Sequence, residues 1–455
     1  MKVHFIAIGG SVMHHLAIAL RNKGYEITGS DDEIFEPSYS KLQSYDLLPK
    51  EFGWFPEKIH KGLDAVIVGM HARSNNPELK AARRLGLKIY NFPEYIYEIS
   101  KNKQRIVIAG SHGKTTVTSM IIHVLNYWGK HLDFLVGATS EGRNETVRLS
   151  NEASGILLEG DEYPSSPLDP RPKFLHYHHH IGVVTGIAWD HVNAYPVYED
   201  YVKQFKLFVE ASCKAGTLIY CEEDEELTQL VRSSVIPNDV HIIPYRMHNY
   251  VIKEGITYLV TDKNEQVPIH FFGEHNLLNV SAALEVALKQ GIRKEEFYEA
   301  ISTFKGASKR LDLVKENSIT KVFRDFAHAP SKVRATTEAV KNQFPNKALV
   351  ACLELHTFSS LNPNFIENYK NTLNTADLAI LYINPETVAR KGLSSFSEAK
   401  LRQVFNRQDL ILINDEKALY QFLTKQNWLN KVLLLMSSGN FNNLDITALA
   451  EHIIL

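Results

Sequence analysis

The stretch IVIAGSHGKTT, residues 106–116, constrains the fold of this chain more than any other. Four apolar residues that favour a strand lead into a glycine-rich turn, and the residues after the turn favour a helix. Backbone amides in such a turn, together with the start of a helix, form a concave anion site. Lys114 adds a positive charge for nucleotide phosphates, and the Thr115 hydroxyl can reach Mg²⁺.

The spacing within this turn is shorter than in the usual phosphate-binding loop. Only Ser111 and His112 separate Gly110 from Gly113, where the usual pattern has four residues. The strand before the turn and the helix after it favour a phosphate site. A plain turn between strand and helix is the alternative.

Strands and helices alternate along the whole chain. Residues 3–8 read as a buried strand, a helix follows and ends at Gly24, and polar segments at 100–105 and 305–312 read as linkers. We therefore predict an α/β protein of three domains. They are a Rossmann-like N-terminal domain at 1–100, a central P-loop ATPase-type domain at 101–308 and a Rossmann-like C-terminal domain at 309–455. Within the central domain, 254–260 and 267–273 are predicted to pair as a hairpin.

Composition narrows the function classes. The 455 residues carry a formal net charge of -2, so no basic excess indicates nucleic acid as a partner. No apolar run is long enough to predict a membrane-spanning helix. The three cysteines show no paired spacing, which fits a reducing compartment, and we expect a cytoplasmic protein.

A second glycine turn, AIGGSVM, begins at Ala7. Ala7 stands where a dinucleotide-binding turn has its first glycine, and no third glycine follows, so NAD is a poor candidate. Gly9, Gly10 and Ser11 can instead let a nucleotide diphosphate approach the start of the helix. A tight turn without a ligand is the alternative.

Acidic residues follow two predicted strands of the central domain. Glu159, Asp161 and Glu162 end one strand, and Asp190 and His191 follow the next. Carboxylates at a strand end are typical Mg²⁺ ligands in ATP enzymes. A solvated turn is the alternative for the first group, and a structural pair for the second.

Three further polar groups stand near the ends of predicted elements. Asn276 and Asn279 can pair with the edge of adenine or cap a helix. Arg310 can clamp a phosphate or lie in a solvated linker. Asp325 and His328 follow a strand, just before a helix that Pro330 begins.

The histidines at 178–180 look like a metal-binding cluster. Consecutive residues on a strand or helix cannot all face one ion, so a polar loop is expected there.

The order of these motifs is more specific than any one of them. The motifs follow the same order as in the Mur ligases, namely GSHGKT, EGDEY, DH, GEHNLLN, KRLD and DFAHAP. The resemblance covers nearly the whole chain. Mur ligases are ATP-dependent, amide-forming enzymes of the peptidoglycan precursor pathway. The resemblance implies that the first domain binds the UDP end of the substrate and the central domain binds ATP. The last domain would close over the site and help to bind the amine.

The resemblance also implies roles for individual residues. The catalytic set would be Lys114, His191, Arg310 and His328. ATP would contact Gly110, Ser111, His112, Gly113, Lys114, Thr115, Thr116, Asn276, Asn279, Arg310 and Asp325. Mg²⁺ would be held by Thr115, Glu159 and His191. The UDP-sugar would contact Gly9, Gly10 and Ser11.

Two branches of the family differ in the amine that they use. One adds L-alanine to UDP-N-acetylmuramate, and the other, murein peptide ligase, adds the recovered tripeptide L-Ala-γ-D-Glu-meso-diaminopimelate. The stretches EGDEYPSSPLDPRPKFLHY at 159–177 and MSSGNF at 436–441 resemble the second branch, so a role in peptidoglycan recycling is expected. We expect a monomer or weak dimer that acts on small molecules.

The family motif DDFAHHP departs here to RDFAHAP, with Arg324 and Ala329. A degenerate UDP-sugar-binding relative is therefore an alternative to the ligase. A dehydrogenase, a P-loop kinase and folylpolyglutamate synthase are further alternatives. The damaged dinucleotide turn argues against the dehydrogenase, and the first domain argues against the synthase.

Overall fold

A computed structural model describes residues 1–70, 72–137, 145–166, 169–189, 192, 194–308, 310–393 and 396–454. The chain divides into two compact units. Unit 1 comprises Met1–Thr118, Leu125–Ile187 and Tyr201–Tyr245, and unit 2 comprises Ser119–Val124, Ala188–Asp200 and Arg246–Leu455. Within the described residues, no helix combines the length and apolarity needed to cross a membrane.

The first sheet of unit 1 is parallel and has the strand order β2-β1-β3-β4. Its strands are β1 (Lys2–Ile6), β2 (Glu26–Ser30), β3 (Ala65–Val68) and β4 (Ile89–Asn91). The helices are α1 (Met13–Asn22), α2 (Ser38–Ser44), α3 (Pro77–Arg84) and α4 (Phe92–Ser100), with a short 3₁₀ helix at Pro56–Lys58. Asn76 and Asn91 cap α3 and α4 and fix where these helices begin.

The second sheet of unit 1 has the order β13-β12-β11-β5-β8-β6-β7. Its strands are β5 (Gln104–Ala109), β6 (Asp133–Leu135), β7 (Val147–Arg148), β8 (Gly155–Glu159), β11 (Ile181–Val184), β12 (Thr217–Cys221) and β13 (His241–Tyr245). The hairpin β9 (Pro164–Ser166) and β10 (Asp169–Pro172), a 3₁₀ helix at Lys173–His176, and α5 (Lys114–Tyr127), α6 (Tyr198–Glu210) and α7 (Glu225–Ser233) complete this part of the chain. The central strand β5 is flanked by β8 and β11 in parallel, so the carboxyl ends of all three lie at one edge.

Unit 2 contains an antiparallel sheet of β14 (Tyr250–Lys253), β15 (Ile256–Val260) and β16 (Gln266–Ile269), followed by α8 (Glu274–Lys289) and α9 (Lys294–Ile301). The other sheet has the order β17-β18-β22-β19-β20-β21. It comprises β17 (Asp312–Glu316), β18 (Lys321–Asp325), β19 (Ala348–Glu354), β20 (Leu378–Tyr382), β21 (Ile411–Ile413) and β22 (Lys431–Met436). The helices after β18 are α10 (Pro330–Gln343), α11 (Pro385–Arg390), α12 (Glu398–Phe405), α13 (Glu416–Thr424) and α14 (Ile446–Ile453), with a 3₁₀ helix at Ile366–Tyr369. Alternate residues of the strands enter separate apolar clusters, as expected for a sheet that is covered on both faces.

The α/β fold class is confirmed, and the predicted hairpin is present as β15 and β16. The linker prediction at 100–105 is wrong at its end, because Gln104 begins β5 and Arg105 is buried. The Arg105 guanidinium donates to the carbonyls of Ser100 and Tyr177, at 2.9 and 2.8 Å. Backbone carbonyls thus accept hydrogen bonds from a buried guanidinium that composition alone would place in solvent. The division into three domains remains a prediction.

The loop predicted at 178–180 is present, but it is not polar throughout, because His179 packs into the interior. Its side chain is buried, its ring stacks on Phe208 at 4.2 Å, and Nε2 lies 3.1 Å from Ser212 Oγ. Burial lowers the pKa of His179 to about 3, so the ring is neutral at physiological pH.

Candidate active site

Two glycines in the left-handed region of backbone conformation shape the phosphate loop. Gly110 has a φ of +126° and follows β5, and a Cβ atom there would lie 2.0 Å from Thr185 Oγ1. Gly113, with a φ of 78°, is the N-cap of α5. A larger residue at Gly110 would therefore collide with the neighbouring strand end, which explains why the compact loop needs glycine.

Lys114 begins α5 and is held in an ion pair. Its Nζ lies 2.7 Å from Glu162 Oε2 and donates to the Gly110 carbonyl at 2.6 Å. The Glu162 side chain is fully buried. Burial by itself lowers the pKa of Lys114, but the carboxylates of Glu162 and Asp161 outweigh it and raise the pKa above its usual value. Lys114 thus carries a permanent positive charge beside the loop.

Two of the three predicted metal ligands meet at the ends of β5 and β8. Thr115 Oγ1 donates to Glu159 Oε1 at 2.7 Å, and Glu159 Oε2 accepts from the Gly137 amide at 2.5 Å. Hydroxyl and carboxylate oxygens are the ligands that Mg²⁺ prefers, so this pair fits the ion. The third predicted ligand, His191, lies outside the described residues.

The rest of the loop is held by buried side chains. The Ser111 hydroxyl lies 2.7 Å from the Tyr201 hydroxyl, and the Ser111 amide donates to the Gly186 carbonyl at 3.0 Å. The Thr185 hydroxyl donates to the carbonyl of His112. Thr116 is buried in the first turn of α5. Hydrogen bonds from the protein itself therefore hold the loop in place.

Residues 173–177 belong to the stretch that resembles the peptide branch, and they pack against the acidic motif at 159–162. Lys173 Nζ lies 2.5 Å from Asp161 Oδ2, and Phe174, His176 and Tyr177 are buried. These residues support the acidic motif, and their value as a marker of the amine substrate stays a prediction.

In the first sheet, the turn after β1 brings its backbone close to the residues that follow β2. The Gly9 amide donates to Asp31 Oδ2 at 2.7 Å, and a Cβ atom on Gly9 would lie 2.8 Å from Ile34. Ala7 has a φ of 67°, so it adopts the left-handed conformation at which a dinucleotide turn has glycine. Gly10 and Ser11 follow, before α1.

A cavity of about 550 Å³ opens at the carboxyl ends of β2 and β3. Ligands of open α/β sheets bind at such ends. The cavity combines an aromatic ring, a guanidinium and amides, and its lining comprises Asp32, Trp54, Met70, Arg73, Asn75, Asn76 and Pro77. Sequence reasoning missed these residues, although the positions of Asp32 and Met70 directly after strands were a usable signal.

In unit 2, Asn276 and Asn279 lie inside α8. Gly273 is the N-cap, so the capping alternative is wrong for both asparagines. Asn276 donates to the Phe272 carbonyl at 2.8 Å, and Asn279 donates to Asn276 at 3.4 Å. Both side chains are buried, which leaves only part of each amide for a ligand.

The remaining predicted residues, Arg310, Asp325 and His328, lie around the carboxyl end of β18. The Arg310 guanidinium lies 4.2 Å from the centre of the Phe326 ring, and His328 Nδ1 lies 2.8 Å from the Phe326 carbonyl. Asp325 accepts from the amides of Leu311 and Ala327, at 2.5 and 2.7 Å. Asp325 thereby fixes the backbone beside Arg310, a structural role that the sequence did not indicate.

Comparisons with known proteins identify the same family in the central part of the chain and along nearly its whole length. Residues 108–287 match the model of the Mur ligase middle domain. UDP-N-acetylmuramate–L-alanine ligase of Clostridium tetani is 30% identical over 457 residues, which cover 96% of this chain and 96% of the relative. The chain belongs to the Mur ligase family.

Solved structures of Mur ligases share the fold of this chain. A murein peptide ligase from Psychrobacter arcticus has a TM-score of 0.66 and 20% identity, covering 100% of this chain and 98% of the other. UDP-N-acetylmuramate–alanine ligase from Thermotoga maritima has a TM-score of 0.70 and 20% identity, covering 97% of each chain. The solved structures show the shared fold, and membership of the Mur ligase family makes this chain an ATP-dependent, ADP-forming ligase of cell-wall biogenesis.

Proposed function

We propose that this Mur ligase joins the lactyl carboxylate of UDP-N-acetylmuramate to the amine of L-Ala-γ-D-Glu-meso-diaminopimelate, in peptidoglycan recycling. ATP would activate the carboxylate as an acyl phosphate, because a free carboxylate is a poor acylating agent. The amine would then attack the carbonyl carbon, and the tetrahedral intermediate would expel phosphate.

The observation that carries the ligase chemistry is the grouping of Lys114, Thr115 and Glu159 at one edge of the sheet. Phosphoryl transfer needs positioning and neutralisation of charge more than covalent help from the protein. Lys114 and the loop amides of Gly110–Thr116 would hold the phosphates. Thr115 and Glu159, with His191, would hold Mg²⁺, which supplies charge neutralisation on the transferred group.

The family resemblance assigns further residues to the two nucleotides. Gly9, Gly10 and Ser11 would receive the diphosphate of the UDP-sugar. In unit 2, Asn276 and Asn279 would face adenine, and Asp325 the ribose. Arg310 and His328 would neutralise the phosphoryl group as it moves.

The choice of a peptide rests on the sequence stretches at 159–177 and 436–441 and on a cavity in unit 2. This cavity has a volume of about 210 Å³, and Arg324, Asp325, Ser437 and Asn440 are among its lining residues. The tripeptide carries several carboxylates, whereas L-alanine carries one, and a guanidinium is suited to bind a carboxylate. The Arg324 guanidinium is already paired with Asp312, with Nη2 and Oδ2 2.7 Å apart, so a tripeptide carboxylate would have to compete with Asp312 for it.

The second candidate is ligation of L-alanine. It is favoured by the relative from Clostridium tetani, which is named for that activity and matches over 96% of this chain. The two candidates share every step except the identity of the amine.

Phosphate release from ATP with Mg²⁺ and UDP-N-acetylmuramate distinguishes them, with the tripeptide in one reaction and L-alanine in the other. Release with the tripeptide alone is the expected result. Release with L-alanine alone would assign the protein to the biosynthetic branch. No phosphate release in either reaction, with UDP-sugar binding retained, would overturn the ligase proposal in favour of the degenerate binding protein.

A further inference from the structure

The hydroxyl of Tyr201 is buried beside the phosphate loop in unit 1. It lies 2.7 Å from Ser111 Oγ and 3.2 Å from Glu162 Oε1, and Tyr201 and Glu162 are fully buried. A phenol has one proton, and the carboxylate can only accept. Tyr201 therefore donates to Glu162, and Ser111 donates to Tyr201.

The other oxygen of Glu162 pairs with Lys114 at 2.7 Å. The charge that would bind ATP is thus already neutralised by a carboxylate. Phosphates that enter the loop must compete with Glu162 for this lysine. When Lys114 turns to the phosphates, Glu162 keeps a negative charge on a fully buried side chain, and a buried charge needs hydrogen-bond donors.

We propose that Tyr201 is a positioning residue of the ATP site, which holds Glu162 while Lys114 exchanges the carboxylate for phosphate. The same hydroxyl fixes Ser111 within the loop. This inference rests on the proposed role of the loop in binding ATP, and it adds a partner exchange that the loop sequence does not show.

The position of the Tyr201 ring makes this role specific. The ring packs edge-on against Phe205, with centroids 5.3 Å apart, on the same helix α6. Phenylalanine at 201 would fill the same volume but could not donate to Glu162. Glu162 would then lose the hydrogen bond from Tyr201 and hold Lys114 more tightly, and ATP would have to separate a tighter pair.

The test measures the dissociation constant of a non-hydrolysable ATP analogue with Mg²⁺ in three variants of the full chain. Tyr201→Phe is expected to weaken binding about tenfold, the size of one hydrogen bond to a charged group. Glu162→Gln is expected to tighten binding, because a neutral amide holds the lysine less strongly than a carboxylate does. Tyr298→Phe is the control, since its hydroxyl lies 2.9 Å from His248 Nε2 in unit 2 and the inference gives it no role.

The two variants are expected to change the dissociation constant in opposite directions, which distinguishes positioning from a merely structural role. A structural role would weaken analogue binding in both Tyr201→Phe and Glu162→Gln. Analogue binding by Tyr201→Phe at the wild-type level would overturn the inference, and so would equal weakening in Glu162→Gln. Should Tyr201→Phe fail to fold, the tighter binding expected of Glu162→Gln still tests the partner exchange, and unchanged or weaker binding by that variant would overturn the inference. Wild-type analogue binding by Lys114→Met would instead overturn the role of the loop itself.

Discussion

Replacing Lys114 by methionine separates the stability of the site from its chemistry. Methionine keeps the length of the side chain but leaves Glu162 buried without its cation. Removing one partner of a buried pair costs about 3–5 kcal/mol, and the remaining bond from Tyr201 places this case near the lower value. At about 2–4 °C per kcal/mol, the unfolding midpoint of unit 1 should fall by about 6–12 °C.

Calorimetry measures that midpoint, and phosphate release measures ligation. Ligation should fall by about 10²–10³-fold, the usual effect of losing one group that stabilises the transition state. Adding Glu162→Gln to Lys114→Met should restore most of the midpoint but none of the ligation.

Lys103→Met is a matched control. Lys103 pairs with buried Asp133 at 2.5 Å in the same unit, and its side chain is as shielded as that of Lys114, with 12% against 13% exposed. It should lose stability and keep activity. An unchanged midpoint in Lys114→Met, or an equal loss of ligation in Lys103→Met, would refute the reasoning.

Four further predictions concern other parts of the molecule. Ala7→Gly should raise the unfolding midpoint by relieving a left-handed alanine, a gain of about 0.5–1 kcal/mol after the entropy of glycine is subtracted, and a lower midpoint in calorimetry would contradict it. Thr115→Val should raise the Mg²⁺ concentration needed for half-maximal phosphate release, and an unchanged Mg²⁺ dependence would remove Thr115 from the metal site. Because the pKa of His179 is about 3 in the folded protein and near 6.5 when unfolded, stability is lost as pH falls below 6.5, by about 2 kcal/mol at pH 5. His179→Gln should lose correspondingly less stability between pH 7 and pH 5, and equal losses in urea unfolding would argue against this account. If the cavity at the carboxyl ends of β2 and β3 receives part of the UDP-sugar, Arg73→Ala should raise the KM for that substrate and leave the KM for ATP unchanged, and the reverse pattern would exclude the cavity as the sugar site.

The sequence was most informative where function follows directly from a strand end. Ala109 and Glu159 end two strands that pair in parallel, so the loop residue Thr115 and the acidic motif had to meet once the strand order was right. The alternation of strands and helices was sufficient to predict the fold class for the same reason, since it depends on local patterns.

Sequence reasoning failed where a buried polar group depends on distant partners. Tyr201 is 90 residues from Ser111, and nothing in its helix marks its hydroxyl as different from any other. Arg105 and His179 were assigned to solvent because charged and polar residues usually lie there. Their carbonyl, hydroxyl and ring partners become visible only in the folded chain.

The ion pair between Lys114 and Glu162 also has a consequence for inhibitors. A neutral compound that filled the loop would have to separate the two charges without offering either a replacement. An anionic group would compensate Lys114 and could gain affinity from the exchange. The negative charge that favours binding at this loop also slows passage through a lipid bilayer. Uptake rather than affinity would therefore limit such compounds.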